Sequence, residues 1–259
     1  MKPYYEQDGI TIYHGDCREV LDTLRPYYDA VVSDPPWGTA TACDSKRFTR
    51  KASPFWANVD NSKVRTHKQI ANDEQPFAFL SWVHSPERWV DGSAILWGAN
   101  NFCTELPISN GWLIWDKRKG AENMAEMGWP LGEAELAWTN VIGATRVFRN
   151  LWSGLLRSSE KGEFYHPTQK PISLMQWSLS FLPKEDRVIL DPFMGAGSTL
   201  IAAKRLGLQA IGIELEEAYC ERAAQRLLSH DGPRYCPMCD DYTKASVCKA
   251  CGMKTEKVP

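Results

Sequence analysis

One stretch constrains this chain more than any other: Arg187-Val188-Ile189-Leu190-Asp191-Pro192-Phe193-Met194-Gly195-Ala196-Gly197-Ser198-Thr199. A short apolar segment meets an acid and a proline, turns on two glycines, and opens into a helical pattern through Ala202, Ala203 and Leu206. Gly207 ends that pattern, the apolar segment Gln209 to Ile213 follows, and Glu214 stands at its end. The order is strand, glycine turn, helix, strand, which is the repeating unit of an α/β sheet with ligands bound beyond the strand ends.

An acid about twenty residues after such a turn fits an adenosine ligand whose ribose hydroxyls are held by a carboxylate, which is Glu214 in this chain. The third glycine of a dinucleotide fingerprint is absent, because Leu200 occupies its place. A pyrophosphate also prefers a helix N-terminus without a nearby acid, and Asp191 lies at this loop. S-adenosylmethionine, cationic and free of phosphate, tolerates that acid. A nicotinamide oxidoreductase, the rival reading, would need the missing glycine and a hydride-transfer site.

A second corner lies far upstream. The apolar run Tyr28-Asp29-Ala30-Val31-Val32 reads as a buried strand and leads into Ser33-Asp34-Pro35-Pro36-Trp37. Two prolines stiffen the turn and leave carbonyls to accept hydrogen bonds. A carboxylate, a carbonyl and an indole face suit a planar base with an exocyclic amine: Asp34 and the Pro35 carbonyl accept its hydrogens, and Trp37 stacks on its ring. Taken alone, the same residues also read as a strand closed by a proline turn with a packed tryptophan.

Composition sets the scale. At 259 residues and 43% hydrophobic content, the chain has room for one α/β domain, 1–230, with a small appendage, 231–259. A net charge of −2 assigns nucleic-acid contact to local patches. The clearest patch follows the diproline corner: Lys46, Arg47, Arg50, Lys51, Lys63, Arg65 and Lys68 alternate with Phe48, Phe55 and Trp56. It suits phosphate and unstacked bases, or forms a solvated face. No apolar run is long enough to span a membrane and the first residues lack a signal pattern, so a cytoplasmic protein is expected.

Along the chain, Ile10 to Tyr13 predicts a strand, Cys17 to Leu24 a helix with Asp16 as its N-cap, and Phe77 to Val83 another helix. Strands are expected at Ser93 to Gly98, Gly111 to Asp116 and Glu133 to Trp138. The segment 139–165, with Arg146, Arg149, Arg157 and Lys161, has no clear period and reads as a surface loop or a short DNA-reading element. Helices are expected over Ile172 to Leu182 and Glu216 to Leu228.

The motifs GDC at Gly15 to Cys17, DPPW at Asp34 to Trp37, HPTQKP at His166 to Pro171 and DPFMGAGST at Asp191 to Thr199 together resemble the amino-methylating DNA methyltransferases, adenine-N6 and cytosine-N4. Their order resembles the permuted β class. The resemblance spans roughly residues 8–228. It implies a doubly wound, Rossmann-like sheet of seven strands and a site-specific DNA methyltransferase of the restriction-modification kind. It implies Asp34, Pro35, Pro36 and Trp37 as catalytic, and Asp34, Asp191, Pro192, Phe193, Gly195, Gly197, Ser198 and Glu214 around S-adenosylmethionine. Asp16 would touch its adenine, and Thr168 and Lys170 its methionine end. Segment 139–165 would be a short target-recognition region.

The implied reaction is direct transfer of a methyl group to the amine of a flipped base, with no covalent intermediate. In the family, Asp or Asn before the two prolines usually marks adenine-N6 enzymes and Ser marks cytosine-N4 enzymes. Asp34 therefore favours adenine, with cytosine-N4, RNA and protein-amide substrates as alternatives. A non-catalytic DNA-binding protein on this fold is the remaining rival.

The last segment is separate. Cys236 and Cys239, then Cys248 and Cys251, form two CxxC pairs separated by eight residues, the pattern of a four-thiolate zinc ribbon, with a redox disulfide as the alternative. So small a piece buries little core, and zinc would supply its folding energy. Lys244, Lys249, Lys254 and Lys257 offer auxiliary DNA contacts.

Overall fold

In chain order, the computed structural model forms β1 (Tyr5–Gln7), β2 (Ile10–His14), α1 (Cys17–Leu24), β3 (Ala30–Ser33), β4 (Ser93–Trp97), β5 (Trp112–Asp116), β6 (Ala134–Thr139), β7 (Arg146–Arg149), β8 (Trp152–Ser153) and β9 (Leu156–Arg157). Then come α2 (Ile172–Leu179), β10 (Val188–Asp191), α3 (Ser198–Arg205), β11 (Gln209–Glu214), α4 (Glu217–Ser229), β12 (Arg234–Cys236), β13 (Asp241–Thr243) and β14 (Glu256–Lys257). The structure describes residues 1–24, 27–36, 92–118, 132–153, 156–160, 165–229, 234–236, 241–243 and 256–257. Two units divide the chain: Met1–Ser33 with Met175–Pro259, and Asp34–Leu174.

In the first unit the strands run β1-β2-β11-β10-β3. The last four are parallel, so their carboxyl ends lie along one edge. Strand β3 is buried at all four positions, as expected for a parallel strand covered on both faces. Helix α3 carries the chain from β10 to β11 on one side, while β3 lies on the other. Such a reversal opens a crevice beyond the strand ends. Buried Cys220, Ala223, Ala224 and Leu227 place one face of α4 inward at helical spacing. A separate antiparallel ribbon orders β13-β12-β14.

The second unit orders β4-β6-β5-β7, with β6 antiparallel to β4 and β5, and β7 parallel to β5. Leu113 and Trp115 on β5, and Ala137 on β6, form its inner face.

The sequence expectations hold for most elements, and four differ. Among the described residues, apart from the ribbon of β12 to β14 and the short pair β8 and β9, five strands pair side by side in one unit and four in the other, where seven were expected. The antiparallel edge strand β1 and the edge strand β7 lie outside the expected pattern. Segment 139–165 is not wholly loop, because Arg146–Arg149 pairs with β5. An edge strand needs partners on one side only, so it carries no apolar run to betray it. Helix α2 ends at Leu179, and its last turn tightens through Phe181 N–H to Ser178 O at 3.2 Å and Leu182 N–H to Leu179 O at 3.2 Å. Strand β3 begins at Ala30, two residues later than expected. The helix expected at Phe77 to Val83 lies outside the described residues.

Candidate functional site

The glycine turn of the first unit is built from backbone. Gly195 and Gly197 adopt φ of 50° and 76°, conformations that L side chains rarely reach. Gly197 N–H donates to Met194 O at 2.8 Å, and Met194 N–H to Ile213 O at 3.1 Å, tying the turn to β11. A Cβ on Gly197 would stand 2.9 Å from Ala223 Cβ, so the turn packs against α4 without room for a methyl group. Buried Arg226 from α4 donates to the Ala196 carbonyl at 2.5 Å.

Two carboxylates frame this turn. Asp191, 3% exposed, accepts from Ser33 Oγ at 2.7 Å and from Phe193 N–H at 3.2 Å. It therefore holds the end of β3 to the end of β10 and starts the loop. Glu214 accepts Gly195 N–H at 3.1 Å on Oε2 and Glu216 N–H at 2.9 Å on Oε1. Burial pushes its carboxyl above the ordinary value, against the pull of those backbone donors. Pro192 and Phe193 lie on the same loop, and Ser198 begins α3.

Asp16 lies at the same strand edge: the residue before it, Gly15, donates its N–H to Glu214 O at 2.9 Å. It is the N-cap of α1, accepting Arg18 N–H at 2.9 Å. The Arg18 side chain closes a fork on it with Nε at 2.9 Å and Nη2 at 2.5 Å, which lowers the carboxyl's pKa. Cys17 and Cys220 are buried free thiols, each pushed by burial up to about 12.

In the second unit, Asp34 and Lys170 meet as an ion pair, side chains 15% and 6% exposed. The HPTQKP segment that delivers Lys170 is held locally. Gln169 N–H donates to His166 O at 3.2 Å, Thr168 N–H to His166 Nδ1 at 3.3 Å, and Tyr165 N–H to Gln169 Oε1 at 3.0 Å. Glu160 caps α2 by accepting Ile172 N–H at 2.9 Å. Pro35 is buried and Pro36 half-buried beside Asp34.

Behind Lys170 stands Glu135 on β6, its Oε2 at 3.2 Å, and behind Glu135 stands Lys117, 2.5 Å from Oε1. Burial alone would push the Lys170 ammonium down, but Asp34 and Glu135 outweigh it and hold it above the ordinary lysine value. Burial likewise opposes the Glu135 charge, and Lys170 and Lys117 prevail, so its carboxyl lies below the usual range.

The structure therefore gathers Asp16, Asp191, Pro192, Phe193, Gly195, Gly197, Ser198 and Glu214 at one strand edge of the first unit, and Asp34, Pro35, Pro36 and Lys170 in the second. Sequence reasoning missed Glu135 and Lys117 as site residues. The available signal was an acid sharing a strand face with Ala137 and Thr139, both 0% exposed. Trp37, the cluster Lys46, Arg47, Arg50, Lys51, Lys63, Arg65 and Lys68, and Cys239, Cys248 and Cys251 lie outside the described residues, as do Lys161, Lys244, Lys249 and Lys254. Cys236 ends β12. Among the described residues, no helix is long and apolar enough to cross a membrane.

Comparison with known proteins adds an independent line. The N6/N4 DNA methylase family model matches residues 46–226. A type II methyltransferase of Lactococcus lactis subsp. cremoris, M2.LlaDCHI, is 27% identical over 248 residues, covering 87% of this chain and 92% of its own. The M1.HpyAVI complex with SAM superposes with a TM-score of 0.53 at 23% identity, over 84% of this chain and 98% of that one. The cytosine-N4-specific PvuII DNA methyltransferase gives a TM-score of 0.54 at 16% identity, over 89% and 90%. Both structures share this α/β fold.

Proposed function

The chain belongs to the N6/N4 DNA methylase family, and from that premise we propose that it methylates the exocyclic amine of a flipped base in DNA, adenine-N6 in particular. The observation that carries the base assignment is the Ser33 hydroxyl, 1% exposed and engaged with Asp191 at 2.7 Å. Ser33 is thus a structural residue, and the next residue, Asp34, is the acceptor that faces the amine. By the family pattern, an aspartate before the two prolines goes with adenine.

Asp34 and the Pro35 carbonyl accept the two amine hydrogens and draw the nitrogen lone pair out of ring conjugation. Trp37 stacks on the extruded base, whose unstacking costs a few kcal/mol. Bound S-adenosylmethionine supplies a methyl group activated by its sulfonium. Glu214 accepts from the ribose hydroxyls, since a carboxylate has room for acceptance beyond its two backbone N–H donors. Gly195, Gly197 and Ser198 let the turn approach the cofactor closely, with Asp191, Pro192 and Phe193 shaping the loop. Asp16 addresses the adenine, and Thr168 and Lys170 the methionine end. Most of the rate gain comes from positioning.

The cluster from Lys46 to Lys68 contacts phosphate in this reading, and segment 139–165 reads the target sequence. Cys236, Cys239, Cys248 and Cys251 hold a structural zinc. The support is the sequence pattern, two CxxC pairs able to offer four thiolates, beside the antiparallel ribbon of β12, β13 and β14, of which Cys236 ends one strand. Metal analysis of the reduced protein should return one zinc per chain.

The deciding experiment is mass spectrometry of nucleosides from unmethylated DNA treated with the protein and S-adenosylmethionine. N6-methyladenosine in its deoxy form is expected. N4-methylcytosine would overturn the base assignment, and the absence of any methylated nucleoside would overturn the activity.

A further inference from the structure

Glu135 is an acid on the buried face of a strand, and the chemistry above makes no use of it. Its place is dictated by register: β6 pairs antiparallel with β5 so that Glu135 stands opposite Trp115, and Ala137 and Thr139 follow on the same face at 0% exposure. A lone charge there would be strongly unfavourable, and such groups are paired when they occur. Glu135 is paired twice, to Lys117 at 2.5 Å and to Lys170 at 3.2 Å, and Lys170 in turn pairs with Asp34.

The far end of this chain of charges is fixed too. Lys117 Nζ lies 5.2 Å over the Trp115 ring, whose Nε1–H donates to Asn150 O at 3.1 Å. Signs alternate along Asp34, Lys170, Glu135 and Lys117, so each inner group lies between two opposite charges. A lysine stem has four rotatable carbons, and one counter-ion leaves it free to swing. A second carboxylate opposite the first removes that freedom.

We propose that Glu135, backed by Lys117, is a positioning residue for methyl transfer: it anchors the ammonium of Lys170 and through it sets the place and orientation of Asp34. The proposal rests on the reading of Asp34 as acceptor of the target amine. Its physical core, that Glu135 immobilises Lys170, stands apart from that reading. Misplacement of a reacting group by about 1 Å from a change outside the chemistry can lower a rate by ~10²-fold, which sets the size of effect to look for.

Two measurements on the full chain test it. The first is single-turnover methyl transfer to unmethylated mixed-sequence DNA at saturating S-adenosylmethionine, beside the cofactor Kd by calorimetry. Glu135→Gln keeps the shape and removes the charge; it should slow transfer at saturating cofactor by about 10²-fold, well beyond the at most about tenfold rise in Kd that a loosened Lys170 at the methionine end would bring, and Glu135→Asp should recover part of the rate. The second is acetylation of Lys170 by acetic anhydride, followed by mass spectrometry, which should be about tenfold faster in Glu135→Gln because a counter-charge has gone.

A wild-type transfer rate, a rate loss matched by an equal loss of cofactor affinity, or unchanged Lys170 labelling would each overturn the proposal. If the wild-type protein methylates nothing, the proposed activity fails, and the labelling result still decides whether Glu135 holds Lys170. Lys117→Met is the second variant should Glu135→Gln not fold. It should slow transfer about tenfold, because a neighbouring charge and not the anchor itself is lost, and a wild-type rate there would also overturn the proposal.

Discussion

The glycine corner of the first unit is built almost entirely from backbone, whereas Asp34 in the second unit is held by a chain of side-chain charges. At the first, left-handed φ values and backbone N–H groups define the shape, and the carboxylates of Glu214 and Asp191 that accept those N–H groups complete it. At the second, position depends on ionisation: removing any one charge changes the balance felt by its neighbours. A backbone site is therefore most sensitive to added volume, and charge enters it only through the carboxylates that accept its N–H groups. A site built from ion pairs tolerates volume better and responds to charge and pH.

The largest expected effect sharpens this contrast. Asp34→Ala should lower methyl transfer by on the order of 10³-fold, the scale of losing a group that acts on the reacting atoms, while cofactor affinity stays near wild type. A parallel collapse of cofactor binding, read by calorimetry, would show that the two corners are not separable in this way.

Next in size is Gly197→Ala. The added methyl would meet Ala223 Cβ at 2.9 Å with φ at 76°. Strain and overpacking together should cost about 2–3 kcal/mol, lowering Tm by roughly 5–10 °C in thermal melts. A melt within a degree of wild type would mean that the corner yields easily, and the backbone account would fail.

Glu214→Gln should raise the cofactor Kd about tenfold, ~1.4 kcal/mol, through loss of charge-assisted bonds to hydroxyls. Burial holds this carboxyl above its ordinary value and so favours the neutral amide, but the amide can accept only one of the two backbone N–H groups that Glu214 accepts; the two effects oppose, and Tm at pH 7 should stay near wild type.

The smallest effect is on pH dependence, where Glu135 has the opposite sign to Glu214. Glu135 has a depressed folded pKa, so its contribution is present above the ordinary 4.5 and is lost as pH falls through the depressed value. Lys170 has a raised folded pKa, so its contribution is complete below the ordinary 10.5 and is lost as pH rises through the raised value. Asp16 and Asp29 in the first unit are also depressed, and they add to the acid-side loss. Melts across pH should therefore show a stability plateau between those limits. Glu135→Gln should flatten the acid side relative to wild type, and an unchanged profile would break the comparison.

Local order carried the reading of the elements. Helix α1 matches its expected span residue for residue, because apolar spacing and an N-cap aspartate act within one turn. The glycine corner was legible for the same reason: its acid, proline and glycines are contiguous, and its geometry follows from them. Strand β7 was not, since an edge strand with Arg146 and Arg149 exposed has no pattern beyond what its neighbour supplies. Asp191 was readable as a loop acid, but its bond to Ser33, 158 residues away, was not.

The amino-acid order by itself determined where the chain turns, which strands are buried, and which motifs belong to one methylase family, because each of these rests on residues a few positions apart. Only the tertiary structure decided that Lys170 meets Asp34 across 136 positions and that Glu135 and Lys117 stand behind it. Charge pairing acts through space, and a strand acid with no visible partner reads like any other polar residue until the fold brings its counter-ions within 4 Å.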